Sequence, residues 1–232
     1  MARKGLARFQ VRHRETDLHI QASRDLSRQC SAWVVEARMQ IETYARQHAG
    51  FIESYVPLPS DPFAPPVVSD MLRASEKAGT GPMAAVAGAI ANYVGLLCMK
   101  ETGGGDVIVE NGGDIFINAC DEVTIAIYAG SSPLSDKVGI RLEKELMPVG
   151  VCTSSGVVGH SRSFGTAHAV TVVSNWVSLA DAAATAIGNR VSTPAHIKPA
   201  LEELQKLEDV IGGVIISKDR LGACGELNLV PL

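Results

Sequence analysis

The sequence predicts an α+β fold, layered rather than strictly alternating, on three observations. Apolar residues recur at helical spacing in several long segments, and alternating apolar runs gather in consecutive groups instead of one per helix. The 22 glycines of the 232 residues fall where such runs turn or where chain segments pack closely. A composition 46% hydrophobic and 20% charged is that of a chain able to bury a core without disulfides or metal.

Taken in order, Phe9 and Val11, then Leu18, Ile20 and Ala22, alternate about Glu15-Thr16-Asp17 and predict an opening β-hairpin. Ser23 reads as the N-cap of a helix over 24–48, in which Leu26, Cys30, Trp33, Val34, Ala37, Ile41 and Tyr44 keep the helical period. Gly50 is placed to stop it. Pro57, Pro59, Pro62, Pro65 and Pro66 then exclude regular helix or central strand and predict an extended loop. Helices follow over 67–78 and 82–100. In the second, Gly81, Ala84, Ala85, Gly88, Ala91, Asn92 and Gly95 form a small-residue stripe suited to close contact with a neighbouring element or a flat ligand.

Strands over 107–109 and 115–117 flank the turn Asn111-Gly112-Gly113-Asp114. Alternation predicts further strands over 123–128, 138–142, 149–152 and 168–174, then helices over 179–191 and 194–208. A closing hairpin pairs 214–217 with 227–230. The helix-then-hairpin order occurs near 82–118 and again near 194–230, which hints at an internal duplication. The expected layout is one domain, 1–232, with 1–66 as hairpin, helix and proline-rich loop and 67–232 as the core that carries the candidate chemical segments.

Charge narrows the function classes. The net charge is −4, and the basic excess within 1–48 is dispersed through Arg8, Arg12, Arg14, Arg24 and Arg28. With aromatics at 5%, neither a nucleic-acid surface nor an anionic-membrane patch is expected. The apolar run 83–99 contains Asn92, falls short of a membrane span and reads as a buried helix. Five cysteines without a C-x-x-C pair, and no apolar segment after Arg3 and Lys4, lead to the expectation of a reducing, cytoplasmic setting.

Three segments could carry chemistry. Asp181 and Thr185 are the polar side chains of an otherwise small apolar helix, four residues apart and so on one face. A carboxylate and a hydroxyl there suit Mg2+ bound together with substrate phosphates. The alternative is that Asp181 caps a helix and Thr185 bonds back to a carbonyl. At Asn111, Gly112, Gly113 and Asp114, backbone bare of side chains could accept a pyrophosphate or ribose, or simply form a hairpin turn. Thr153, Ser154, Ser155 and Gly156, followed by His160 and Arg162, could embrace a phosphate, with His160 the candidate for proton handling; a mobile polar loop has the same composition.

Over about 80–192 these pieces, in this order, resemble the ApbE superfamily. Gly81 to Gly95 is similar to its small-residue helix, and Glu110 to Asp114 to its N-x-G-G-D turn. Thr153 to Gly156 is similar to its T-S-G loop, and Ala180 to Ala186 to its A-D-A-x-A-T-A metal helix. The resemblance implies an α+β fold of two related helix-plus-strand halves holding a flavin nucleotide, FAD or FMN, with Mg2+ on Asp181 and Thr185. It implies transfer of FMN from FAD to an acceptor protein, or cleavage of the FAD pyrophosphate, and leaves open a non-catalytic flavin-binding or assembly protein, as well as a homo-oligomer. The chain departs from the family's H-x-x-D-P-x-T-G pattern, since the segment from His160 to Gly165 contains no Asp-Pro. It also has Ala87 where a lysine usually precedes the helix glycine.

Overall fold

A computed structural model describes residues 5–157 and 165–232. The chain opens on a hairpin of β1 (Ala7–His13) and β2 (Thr16–Ala22), paired from Ala7↔Ala22 to His13↔Thr16. The turn is therefore Arg14-Glu15, with Arg14 at φ +53°, while Thr16 and Asp17 already belong to β2. Helix α1 (Ser27–Gln47) starts later than the expected Ser23 cap, and the Asp25 carboxylate takes the Ser27 N–H at 2.8 Å instead. The proline-rich stretch leads to α2 (Pro66–Ala78). After it, a short 3-10 turn (Pro82–Ala85) runs into α3 (Val86–Glu101).

The middle strands are β3 (Val107–Asn111), β4 (Asp114–Asn118), β5 (Val123–Ala126), β6 (Val138–Leu142) and β7 (Val149–Ser154). Next come β8 (Ala169–Ser174), α4 (Val177–Gly188), α5 (Ile197–Leu204), β9 (Val210–Ser217), β10 (Arg220–Gly225) and β11 (Asn228–Pro231). Two expectations at the C-terminus need correction. The helix expected over 194–208 is a 3-10 turn followed by the shorter α5. The closing hairpin is β9 with β10, not 214–217 with 227–230, because the chain turns at Lys218-Asp219 with Lys218 at φ +58°. β11 instead crosses to a second sheet and pairs with β6.

Among the described residues, eight strands form one antiparallel sheet in the order β1-β2-β3-β4-β7-β8-β9-β10, and β11-β6-β5 form a smaller one. The order repeats a plan: hairpin, helices, hairpin in β1–β4 and again in β7–β10, joined where β4 pairs with β7. Side-chain alternation divides the large sheet between two cores. Val107, Val109, Phe116, Cys152, Val170, Val172 and Ile215 join the buried faces of the helices. Ile108, Ile117, Val149, Val151, Val173 and Ile216 meet Ile125, Ile140 and Leu142 of the small sheet. The fold is thus three layers, helices on one face and three strands on the other.

The small-residue stripe of α3 sets the depth of the helical layer. A Cβ on Gly88 would lie 2.8 Å from the Asp181 Cβ, and one on Gly95 would lie 2.3 Å from the Phe116 ring. This reading favours a neighbouring element, on both faces of the contact, over a flat ligand. The helical stretch Pro82–Glu101 is long and apolar enough to cross a membrane by composition, yet Ala89, Ile90, Ala91, Val94 and Cys98 are core residues. Gly95→Ala is expected to retain the fold but cost about 1–3 kcal/mol, because α3 must lift off Phe116. Urea unfolding would show it as a lowered midpoint, and an unchanged midpoint would mean the ring can move aside.

Candidate functional site

The site is built on the helical face of the sheet, where β4 meets β7. In the β3–β4 hairpin Asn111 pairs with Asp114, leaving Gly112-Gly113 as the whole turn. Gly112 needs its freedom, at φ +67° over open space. Gly113 has another reason to be glycine: a Cβ there would come 2.7 Å from the Thr153 carbonyl oxygen, while the Thr153 N–H donates to the Gly113 carbonyl at 2.9 Å. The chain's own β7 backbone therefore accounts for a glycine at 113, since a side chain there would collide with it. Gly113→Ala is expected to destabilise the protein by about 1–3 kcal/mol through this backbone contact. Thermal unfolding without nucleotide checks it, and wild-type stability would return the position to a ligand role.

Alternation then sorts the side chains. Phe116 faces α3, so Asp114, two residues earlier, faces the helices too. Asn111 reaches the same layer and donates through Nδ2 to the Ala87 carbonyl at 3.1 Å. Asp114 sits opposite Cys152 of β7 in the register. Asp181, in the second turn of α4, is 9% exposed, as is Asp114. Its carboxylate accepts the Gly88 N–H at 2.8 Å. Asp181 thus does act as a cap, but across a helix crossing: it satisfies the first turn of α3 and not of its own helix, and gains from the positive end of the α3 dipole.

The electrostatics are those of two carboxyls sharing one dry space. Burial pushes Asp114 up to about 7, against the pull of the Cys152 thiol and the Thr153 N–H. Burial also raises Asp181 well above the usual carboxylate range; the Asp114 charge adds to the rise, and the Gly88 and Ala87 N–H groups oppose it. Burial first, and then both carboxylates, hold the Cys152 thiol in its protonated form, with Sγ 3.4 Å from the Val177 carbonyl. Among the described residues neither carboxylate forms an ion pair with a Lys or Arg. Nor do any three His, Cys, Asp or Glu side chains among them converge as a metal group. The oxygens on offer, two carboxylates and the half-buried Thr185 hydroxyl one turn beyond Asp181, are those a hard divalent cation takes when phosphate oxygens and water supply the rest.

The hydroxyl cluster is split. Ser154 faces α4, close enough that a Cβ on Gly188 would lie 3.4 Å from its Oγ. Thr153 points to the other side of the sheet, where its hydroxyl bonds Thr171 at 2.9 Å. Ser155 donates to the His168 carbonyl at 2.7 Å, and the Gly156 N–H donates to the Ala167 carbonyl at 2.9 Å. The structure therefore gathers Asn111, Asp114, Ser154, Asp181 and Thr185 on one side, and uses Thr153, Ser155 and Gly156 to hold the strand end. His160 lies outside the described residues. Cys152 and Asp70 carry weight that the sequence reading passed over. Asp70 accepts the Trp176 indole N–H at 2.6 Å and the Ser178 hydroxyl, which ties α2 to the start of α4. The signal was available: Asp70 is the carboxylate in the apolar run Val67-Val68-Ser69-Asp70-Met71-Leu72. A groove of about 1240 Å3 lies along the outer face of α1, lined by Val35, Met39 and Phe63 among others, and none of the site residues borders it.

Comparison with known proteins fits this architecture. A family model described as AbpE bacteria matches residues 1–215. The chain belongs to that family. Other chains similar to this AbpE-family protein include the UPF0280 protein of Methanocaldococcus jannaschii, 41% identical over 84% of this chain and 80% of its own length. The UPF0280 protein of Methanocella arvoryzae is 38% identical over 95% and 89%. Among solved structures, the flavin transferase ApbE of Vibrio cholerae superposes with a TM-score of 0.59 at 10% identity, covering 94% of this chain and 96% of that one. The ApbE protein of Thermotoga maritima gives 0.57 at 13%, covering 95% and 97%. At such identities the likeness establishes the fold: this AbpE-family chain has the α+β fold of the ApbE flavin transferases.

Proposed function

We propose that this protein binds a flavin nucleotide, FAD or FMN, through its phosphates with the help of Mg2+ at Asp181 and Thr185, and that Asp114 shares that cation. The observation that carries the reading is the pair of buried, electrostatically coupled carboxylates without a described cationic partner. Two such groups are costly to ionise together unless a positive charge joins them. Mg2+, when bound, supplies that charge and neutralises the phosphates of the nucleotide. Asp181 holds its oxygens in place through the α3 amides, Asn111 fixes α3 by its bond to the Ala87 carbonyl, and Ser154 offers a hydroxyl on the same face. Calorimetric titration of FAD with and without Mg2+ tests the proposal: binding should tighten at least tenfold with the ion. Equal affinity in both conditions would reject it.

The fold shared with ApbE flavin transferases favours chemistry at the FAD pyrophosphate, by transfer of FMN to an acceptor protein or by hydrolysis. A second reading, flavin binding or assembly without transfer, is favoured by the absence of an Asp-Pro pair between His160 and Gly165 and by Ala87 in place of a lysine. These departures lead us to expect weak or no covalent labelling when the protein is incubated with FAD, Mg2+ and a threonine-bearing acceptor of the flavinylated type. Robust flavin fluorescence on the acceptor band after denaturing electrophoresis would restore the transferase reading.

A further inference from the structure

Cys30 of α1 and Cys98 of α3 are fully buried, and their sulfurs lie 3.3 Å apart, about 1.3 Å beyond the roughly 2.0 Å of a disulfide bond. They are 68 residues apart in the chain, on two helices packed against each other. The same helix ends are held from outside as well. The Arg24 guanidinium, just before α1, donates to the Glu101 backbone carbonyl at 2.9 Å and to its carboxylate at 3.1 Å, at the end of α3. The fold therefore already brings the two thiols together and holds the segments that carry them. The other cysteines differ: Cys120 is exposed, Cys152 is buried beside the carboxylates, and Cys224 is half-buried on β10.

We propose that Cys30 and Cys98 are a disulfide site, a covalent link between α1 and α3 that forms when the protein meets a small-molecule disulfide. The thiolate of one cysteine attacks the disulfide RSSR, forming a mixed disulfide and releasing one thiolate, which takes up a proton. The second cysteine then displaces the other RS group as its thiolate, and the protein S–S bond closes. The protein loses two electrons and two protons, and RSSR is reduced to two RSH. Both sulfurs are shielded from solvent, and the contact with Cys98 and then burial keep the Cys30 thiol protonated, so the link forms slowly and, once formed, resists reduction. It lies ten residues along α3 from Gly88, about 15 Å by the rise of a helix, so it braces the helical layer without entering the carboxylate site. By closing a long loop it restricts the unfolded chain.

The test is incubation of the native, reduced protein with oxidised glutathione at moderately raised temperature, followed by denaturation, alkylation and peptide mapping. The expected result is a Cys30–Cys98 linked peptide as the main product, with loss of two titratable thiols and a thermal midpoint raised by about 5 °C or more over the reduced protein. Cys30→Ala and Cys98→Ala should each abolish both changes. If one variant folds poorly, the other and the wild-type map still decide. Recovery of Cys30 and Cys98 as alkylated thiols while Cys120 carries glutathione would overturn the proposal, as would a link that leaves the midpoint unmoved.

Discussion

Asp181→Asn is expected to leave the protein folded while removing most of the Mg2+ dependence of nucleotide binding. The amide oxygen of Asn can still accept the Gly88 N–H that Asp181 takes at 2.8 Å, so the α3 cap survives. What is lost is the capacity to carry a negative charge beside Asp114, in a dry space where burial already opposes ionisation. The metal-free variant should therefore be at least as stable as wild type at pH 8. Asp181→Ala separates the two roles, because it leaves the α3 amides buried without an acceptor and should cost about 1–3 kcal/mol. Thr185→Val should weaken the Mg2+ effect less than Asp181→Asn, since a neutral hydroxyl brings less charge to a hard cation. Calorimetry with and without Mg2+, paired with melts of each variant, measures both quantities. Wild-type Mg2+ dependence in Asp181→Asn would reduce the residue to its capping role.

The metal-free protein is expected to become less stable as pH rises from about 5 to 8, the reverse of the usual behaviour of a salt-bridged carboxylate. In the unfolded chain both aspartates ionise near pH 4, at about 3.9. Folded, Asp114 keeps its proton up to about 7, and Asp181 is raised as well. Between those values the folded state binds more protons than the unfolded one. The stability it gains is therefore fully present below about pH 4 and is lost as pH climbs through the folded value. A fall in thermal midpoint on the order of 5 °C is expected across this interval in chelator. Millimolar Mg2+ should restore most of it at pH 8, and Asp114→Asn should flatten the curve. A flat wild-type profile in chelator would show that the two carboxyls ionise without strain.

Much of the fold can be read from local pattern where local chemistry decides. Val138–Leu142 alternates cleanly and is a strand with those limits; Asn111-Gly112-Gly113-Asp114 is a two-residue hairpin because few other sequences turn so tightly. The β9–β10 turn escaped because Lys218 adopts a left-handed φ without being glycine, while Gly222 and Gly225 look like turn residues and instead lie within a strand. At the site, spacing placed Asp181 and Thr185 on one face, but no local rule says that Asp181 caps a helix 93 residues away. The T-S-S-G run looked like one cluster. Strand alternation sends Ser154 and Thr153 to opposite faces, and only the assembled sheet shows which face has the helices.

The join between β4 and β7 gives the molecule a division of ownership. Asp114 belongs to the first hairpin-helix-hairpin unit, while Cys152, Ser154 and Asp181 belong to the second. Neither unit alone holds the acidic pair, so the pair exists only in chains whose two units have met in register. A cation drawn to it would bind the completed arrangement and neither separate piece, and by mass action would act as a rivet between them. Protein cut in the loop between β6 and β7 should then reassociate more tightly when that cation is supplied, so that occupancy becomes a readout of correct assembly as well as of ligand.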